Sequence, residues 1–200
     1  MQKLSNKKNM RNGIMEKWSN GKQQRFNSPI LQSFLFFITC CLLLTSYSYA
    51  QPPSPFAVEK LAGQKAPDFT LKDVNGNSIS FSSFKGKVVL LNFWATWCPP
   101  CKAELPSMNK LQQSLKNRGL VILAVSTDRS ASDVKDFLSK YPLNYTVVVD
   151  YNLNVSRSLY KVFMVPTTFL IDKKGIVVKR YFGEQDWTEP NIIKEIEAFL

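Results

Sequence analysis

Histidine is absent from all 200 residues, and cysteine occurs only four times. The first absence removes the most common general base and metal ligand at neutral pH. Two of the four cysteines, Cys40 and Cys41, lie inside an apolar N-terminal run and read as apolar filler. Only Cys98 and Cys101 remain for chemistry. A structural zinc site needs four ligands, and two thiols with no imidazole do not supply them, so the sequence predicts no metal. Glycine is scarce as well, with eight residues in the chain, and no glycine-rich dinucleotide-binding pattern is present. Direct use of a nicotinamide cofactor is therefore not expected.

The formal net charge of +11 is unevenly spread. Residues 1–29 carry Lys3, Lys7, Lys8, Arg11, Lys17, Lys22 and Arg25 against Glu16 alone, a net of +6; residues 51–200 carry +5. A basic head can signal nucleic-acid binding, but this one directly precedes the uncharged stretch 30–50, densest at Phe34–Leu44 and ending Ser48-Tyr49-Ala50. A positive region, a short apolar run and a small-x-small end describe a secretory signal peptide. An uncleaved anchor is the alternative, and both place the rest of the chain outside the cytoplasm. No nucleic acid is expected as a partner. Residues 51–62, opening Gln51-Pro52-Pro53-Ser54-Pro55, read as a stiff linker. The folded domain is expected over 63–200.

Within it, Phe69–Asp73 and Ser78–Phe81 flank Asn75-Gly76-Asn77, a hairpin pattern. Lys87–Phe93 and Leu120–Ser126 are near-continuous apolar runs, as strands buried on both faces should be. Residues 98–118 read as a helix with Leu105, Met108, Leu111 and Leu115 on one face. Pro106 is expected to kink it, and Gly119 to end it. Ser130 or Ser132 caps a helix to Lys140. Thr146–Asp150 reads as a strand and Val155–Tyr160 as a short helix. Thr167–Ile171 and Ile176–Phe182 form a hairpin across Asp172–Gly175. Thr188 is expected to cap a last helix with Pro190 in its first turn. Strand–helix–strand–helix followed by a hairpin and a helix predicts an α/β sandwich with a mixed central sheet.

Trp97-Cys98-Pro99-Pro100-Cys101 falls where a central strand ends and a helix begins, the place where open α/β sheets build sites. Two thiols one helical turn apart can close and reopen a disulfide, carrying two electrons. A helix N-terminus favours the thiolate that attacks. Cys98 sits at that start; Cys101, one turn in, is expected to be less exposed and to release the product. The two prolines between the sulfurs supply no cation, so a comparatively reducing pair is expected. A purely structural disulfide here would close a tiny loop and remove little unfolded-chain entropy.

Three segments, Gly63–Phe69, Asn92–Pro106 and Val165–Asp172, resemble the thioredoxin superfamily. They are most similar to its extracytoplasmic TlpA/ResA/CcmG-like thiol–disulfide oxidoreductases. The resemblance covers 63–200 and implies a thioredoxin-like three-layer sandwich with an N-terminal β-hairpin extension. It implies Cys98 as nucleophile, Cys101 as resolving thiol, and Pro166 as a cis-proline facing them, which turns the Val165 backbone toward a substrate strand. Trp97 is implied to shield the sulfur and contact partners, while Trp94 reads as core. Ordinary thioredoxin has a buried aspartate six residues before the first cysteine; here Asn92 stands there and cannot titrate. The branch instead implicates a glutamate three residues after the second cysteine, and Glu104 matches. One turn of helix puts it on the side of Cys101, where it can take or give a proton; the alternative is a solvated helix carboxylate.

The expected function is thus reduction of protein disulfides in a periplasmic or otherwise extracytoplasmic compartment by a monomer. The only redox group is the Cys98–Cys101 disulfide, with no cofactor. Apocytochrome c is one substrate the resemblance implies, and a membrane thiol-reductant donor would recharge the pair. A peroxiredoxin-like thiol peroxidase is the alternative. It needs Thr or Ser three residues before the reactive cysteine, where Ala95 stands. Related copper-delivery modules need CxxxC and a distal histidine, and neither is present.

Overall fold

A computed structural model describes residues 61–200; the basic head, the 30–50 stretch and the linker through residue 60 lie outside the described residues. The element order is β1 (Thr70–Asp73), β2 (Ser78–Ser80), β3 (Val88–Trp94), α1 (Pro99–Leu115), β4 (Leu120–Ser126), α2 (Ala131–Lys140), β5 (Thr146–Val149), β6 (Thr167–Ile171), β7 (Val177–Phe182) and α3 (Pro190–Glu197). The strands form one mixed sheet in the order β2-β1-β5-β4-β3-β6-β7. β3 runs parallel to β4 and antiparallel to β6. This is the thioredoxin-like α/β fold, and the hairpin β1–β2 adds to the β5 side of the sheet. β2, three residues long, lies at one border; β7, carrying Lys179 and Arg180, lies at the other.

Side chains of a strand alternate between faces, and the two cores follow that alternation. Val89, Leu91 and Phe93 of β3 join Phe69, Phe81, Val155, Tyr160 and Phe169 in one cluster. Val88 and Leu90 join Met108, Leu111 and Leu115 of α1 and Ile196 of α3 in another. Trp94 packs with Leu105 of α1, Val134 of α2 and Ala124 of β4. All three α-helices therefore contact the even-numbered face of β3. The opposite face is covered by short turns, a 3₁₀ turn at Phe81–Phe84 and a π-helical turn at Asn154–Leu159.

Two local expectations are corrected. The short helix placed at Val155–Tyr160 is a π-helical turn, closed by the Tyr160 N–H on the Val155 carbonyl at 3.0 Å. The carboxylate of buried Asp150 accepts from the N–H groups of Val155 and Ser156 and fixes its start. Thr188 does not cap α3: its hydroxyl donates to Asp186 at 2.5 Å, and Glu189 takes the cap position without a side-chain bond. α1 continues through Pro106 to Leu115.

Candidate active site

The site is assembled at the N-terminus of α1. Cys98 is the N-cap residue, and its sulfur accepts from the Cys101 backbone N–H at 3.3 Å. Pro99 and Pro100 occupy the first two helical positions and have no N–H. Cys101 is thus the first residue of the helix with an N–H to give, and it gives it to the Cys98 sulfur. That donor, with the helix dipole behind it, stabilises negative charge on Cys98 Sγ when the pair is reduced. In the structure the two cysteines are joined as a disulfide, with Cα atoms 5.3 Å apart. Cys101 is fully buried and Cys98 retains 4% exposure. The difference has the expected order, but Cys98 is far more enclosed than a freely presented sulfur.

The second side of the site comes from the segment before β6. The Val165–Pro166 peptide is cis, and the Val165 carbonyl lies 3.6 Å from Cys98 Sγ. Trp97 stands 66% exposed next to the disulfide, with Phe163 and Met164 also exposed. Trp97, Arg129, Arg157, Phe163, Met164 and Val165 contribute to the lining of a 630 Å³ groove. Trp94, by contrast, is fully buried.

A clasp that the sequence did not reveal holds the approach to Cys98. Buried Asp128 accepts from the Thr96 N–H at 3.0 Å, the Thr96 hydroxyl at 2.7 Å and the Ser126 hydroxyl at 2.6 Å. It ties the loop before Trp97 to the end of β4. Position alone gave no sign of it, because Asp128 lies 32 residues beyond Thr96.

Glu104 is buried, with 1% exposure, and is not a solvated helix carboxylate. Asn92 Nδ2 donates to its Oε1 at 2.8 Å and to Thr168 Oγ1 at 2.9 Å. Asn92 and Thr168 are directly paired across β3 and β6, and Asn92 Oδ1 has no partner. On Glu104 Oε2, the indole N–H of Trp187 donates at 3.2 Å and the Gln185 backbone N–H at 3.4 Å. Loss of hydration outweighs these donors and raises the carboxyl from 4.5 to about 7. A buried acid with that midpoint can hold or release a proton at neutral pH. Sequence reading reached Glu104 and singled out Asn92 but missed Trp187, Gln185 and Thr168. The register of β6 against β3 would have paired Thr168 with Asn92. Nothing local marked the other two.

The Redoxin family pattern matches residues 61–196. The chain is 42% identical to the thiol-disulfide oxidoreductase ResA of Bacillus thuringiensis subsp. konkukian, over 62% of this chain and 70% of that one. It is 40% identical to ResA of Bacillus subtilis, over 77% and 84%. Among solved structures, it is similar to the thioredoxin domain of a thiol-disulfide oxidoreductase from Bacteroides vulgatus. That match has a TM-score of 0.61 and 30% identity, over 69% of this chain and 96% of that one. These matches lie on the fold whose central strand, cysteine-capped helix and cis-proline segment converge here. The chain belongs to the Redoxin family, as a thiol–disulfide oxidoreductase of thioredoxin fold.

Proposed function

We propose that this oxidoreductase works as an extracytoplasmic reductase of protein disulfides, with Cys98 as nucleophile and Cys101 as resolving thiol. The observation that carries the reading is the placement of Cys98 Sγ. It caps α1, takes the Cys101 N–H, and faces the Val165 carbonyl. In the reduced enzyme the Cys98 thiolate attacks one sulfur of a substrate disulfide. A Cys98–substrate bond forms, the substrate S–S bond breaks, and the departing sulfur takes a proton. Cys101 then gives its proton to Glu104 and attacks Cys98 Sγ. The Cys98–Cys101 bond forms, and the second substrate sulfur leaves as a thiolate. Two electrons have moved to the substrate, and a membrane thiol donor restores the dithiol.

Trp97 and the backbone of Val165, held by Pro166, would receive the substrate strand. Exposed aromatic and methionine side chains flanking the sulfur favour a polypeptide over a small thiol. The prolines between the cysteines and the lack of a cation there favour the reducing direction. The leader-like residues 30–50 support an extracytoplasmic site, and the family resemblance implies haem-attachment thiols of apocytochrome c as one substrate.

The test is capture of partners. Cys101→Ser expressed in the cell envelope should accumulate mixed disulfides through Cys98, and Cys98→Ser should abolish both capture and reduction of insulin disulfides. Absence of trapped species from an intact, folded Cys101→Ser protein would sink the assignment. Recovery of an apocytochrome in the trapped set would identify the substrate.

A further inference from the structure

The chain between β7 and α3 reaches back to α1 by three separate bonds, two to the Glu104 carboxyl and one to Ser107. The Gln185 N–H and the Trp187 indole N–H both point at Glu104 Oε2. The Trp187 backbone N–H donates to Ser107 Oγ at 3.1 Å, and Ser107 Oγ in turn donates to the Glu104 carbonyl at 2.8 Å. Trp187 therefore grips both the side chain and the backbone of the turn that carries the carboxyl. It is itself immobilised: fully buried, edge-on to Tyr181 at 5.2 Å, and packed in the α1–α3 core. No property of helix α1 alone requires an indole at that point.

We propose that Trp187 is a positioning residue for the thiol–disulfide exchange, holding the Glu104 carboxyl in one orientation through its indole N–H. The proposal rests on the reading of Glu104 as the proton carrier for Cys101. A flexible buried glutamate can turn its carboxyl away from a neighbouring thiol. One clasped from β3 by Asn92 and from the β7–α3 connection by Trp187 and Gln185 cannot do so without leaving buried donors unsatisfied. Other groups bear on this carboxyl. Glu184, from the same connection, repels its charge; Tyr145, before β5, couples to it electrostatically; Cys98 and Cys101 lie one to two turns before it on α1; and Thr168 of β6 shares Asn92 with it. None of them donates to Oε2.

The carboxyl of Glu104 should be titrated by ¹³C NMR in oxidised wild-type protein and in Trp187→Phe, and the pH profile of mixed-disulfide resolution measured for wild type, W187F and E104Q. Loss of one donor to the charged form should move the W187F titration up by roughly half to one pH unit, with the resolution profile following. A second measurement leaves Trp187 unaltered. The Trp187 indole ¹H–¹⁵N resonance of wild type should titrate with the Glu104 midpoint, and that titration should vanish in E104Q. An unmoved carboxyl titration in folded W187F, or an indole resonance indifferent to Glu104, overturns the proposal. If E104Q leaves the resolution profile at its wild-type position while the indole still reports the carboxyl, the proton-carrier reading fails instead, and the two failures are thereby told apart.

Discussion

Glu104 shows how burial and hydrogen bonding compete on one carboxyl. Three N–H donors favour its charged form, and loss of water opposes it more strongly, giving a midpoint of about 7. Below the ordinary value of 4.5 the group is protonated in both the folded and unfolded chain. Between the two midpoints the native protein keeps a proton that the unfolded chain has released, so stability falls as pH rises, by on the order of 3 kcal/mol once above both. Glu104→Gln should remove that fall. Urea unfolding of the oxidised protein at pH 4 and pH 8 checks it: the wild-type advantage over E104Q should shrink or reverse at pH 8. An equal pH response in both proteins would mean that the carboxyl titrates normally. Asp128 is a buried carboxyl whose role is a tether, accepting from the Thr96 N–H and hydroxyl and from the Ser126 hydroxyl. Asp128→Ala leaves the Thr96 N–H without its partner, and should cost about 3 kcal/mol in urea unfolding. It should also slow insulin reduction by releasing the loop that bears Trp97.

At the level of elements, the residues that announce themselves in sequence are those whose partners are periodic or near. The apolar runs of β3 and β4 and the one-sided leucines of α1 were legible because each reports burial along its own segment. A serine cap was legible for the same reason, as Ser130 or Ser132; the structure selects Ser130, whose hydroxyl accepts from the Asp133 N–H three residues on. Ser130→Ala should lower stability by about 1 kcal/mol, measurable as a shift in the urea midpoint. Thr188 misled because Asp186, two residues earlier, competes for its hydroxyl. The π-helical turn was hidden because the carboxylate that ties its first N–H groups, Asp150, lies just past the end of β5, while the cap position, Leu153, has no side-chain bond to give. The grip on Glu104 was hidden for another reason. Trp187 lies 83 residues away, and Gln185 contributes only its backbone, to which side-chain identity is blind. The cysteines and the cis-proline segment, in contrast, could be read directly from motif and resemblance.

On the scale of the whole molecule, stability rests on the two cores and not on surface charge. Among the described residues, two ion pairs are present, Arg118–Glu197 and Lys179–Glu195, and both hold α3 from solvent-exposed positions. Such pairs contribute about 0–1 kcal/mol each and are screened by salt. Raising ionic strength to about 1 M, where screening is nearly complete, should therefore change the unfolding free energy by less than about 2 kcal/mol. Ile196→Ala, which empties a fully buried position of the same helix, should cost about 2–5 kcal/mol. If salt weakened the protein more than this cavity does, the charges rather than the packing would be anchoring α3.

The borders of the sheet carry one more consequence. A row of unpaired backbone donors and acceptors is a template on which another chain can grow. Here one border strand is only three residues long; the other carries a lysine and an arginine side by side, and its first residue, Val177, already bonds Gln64 and Gly63 through its N–H and carbonyl. The folded domain thus offers little foothold for fibril-like stacking at either border of its sheet.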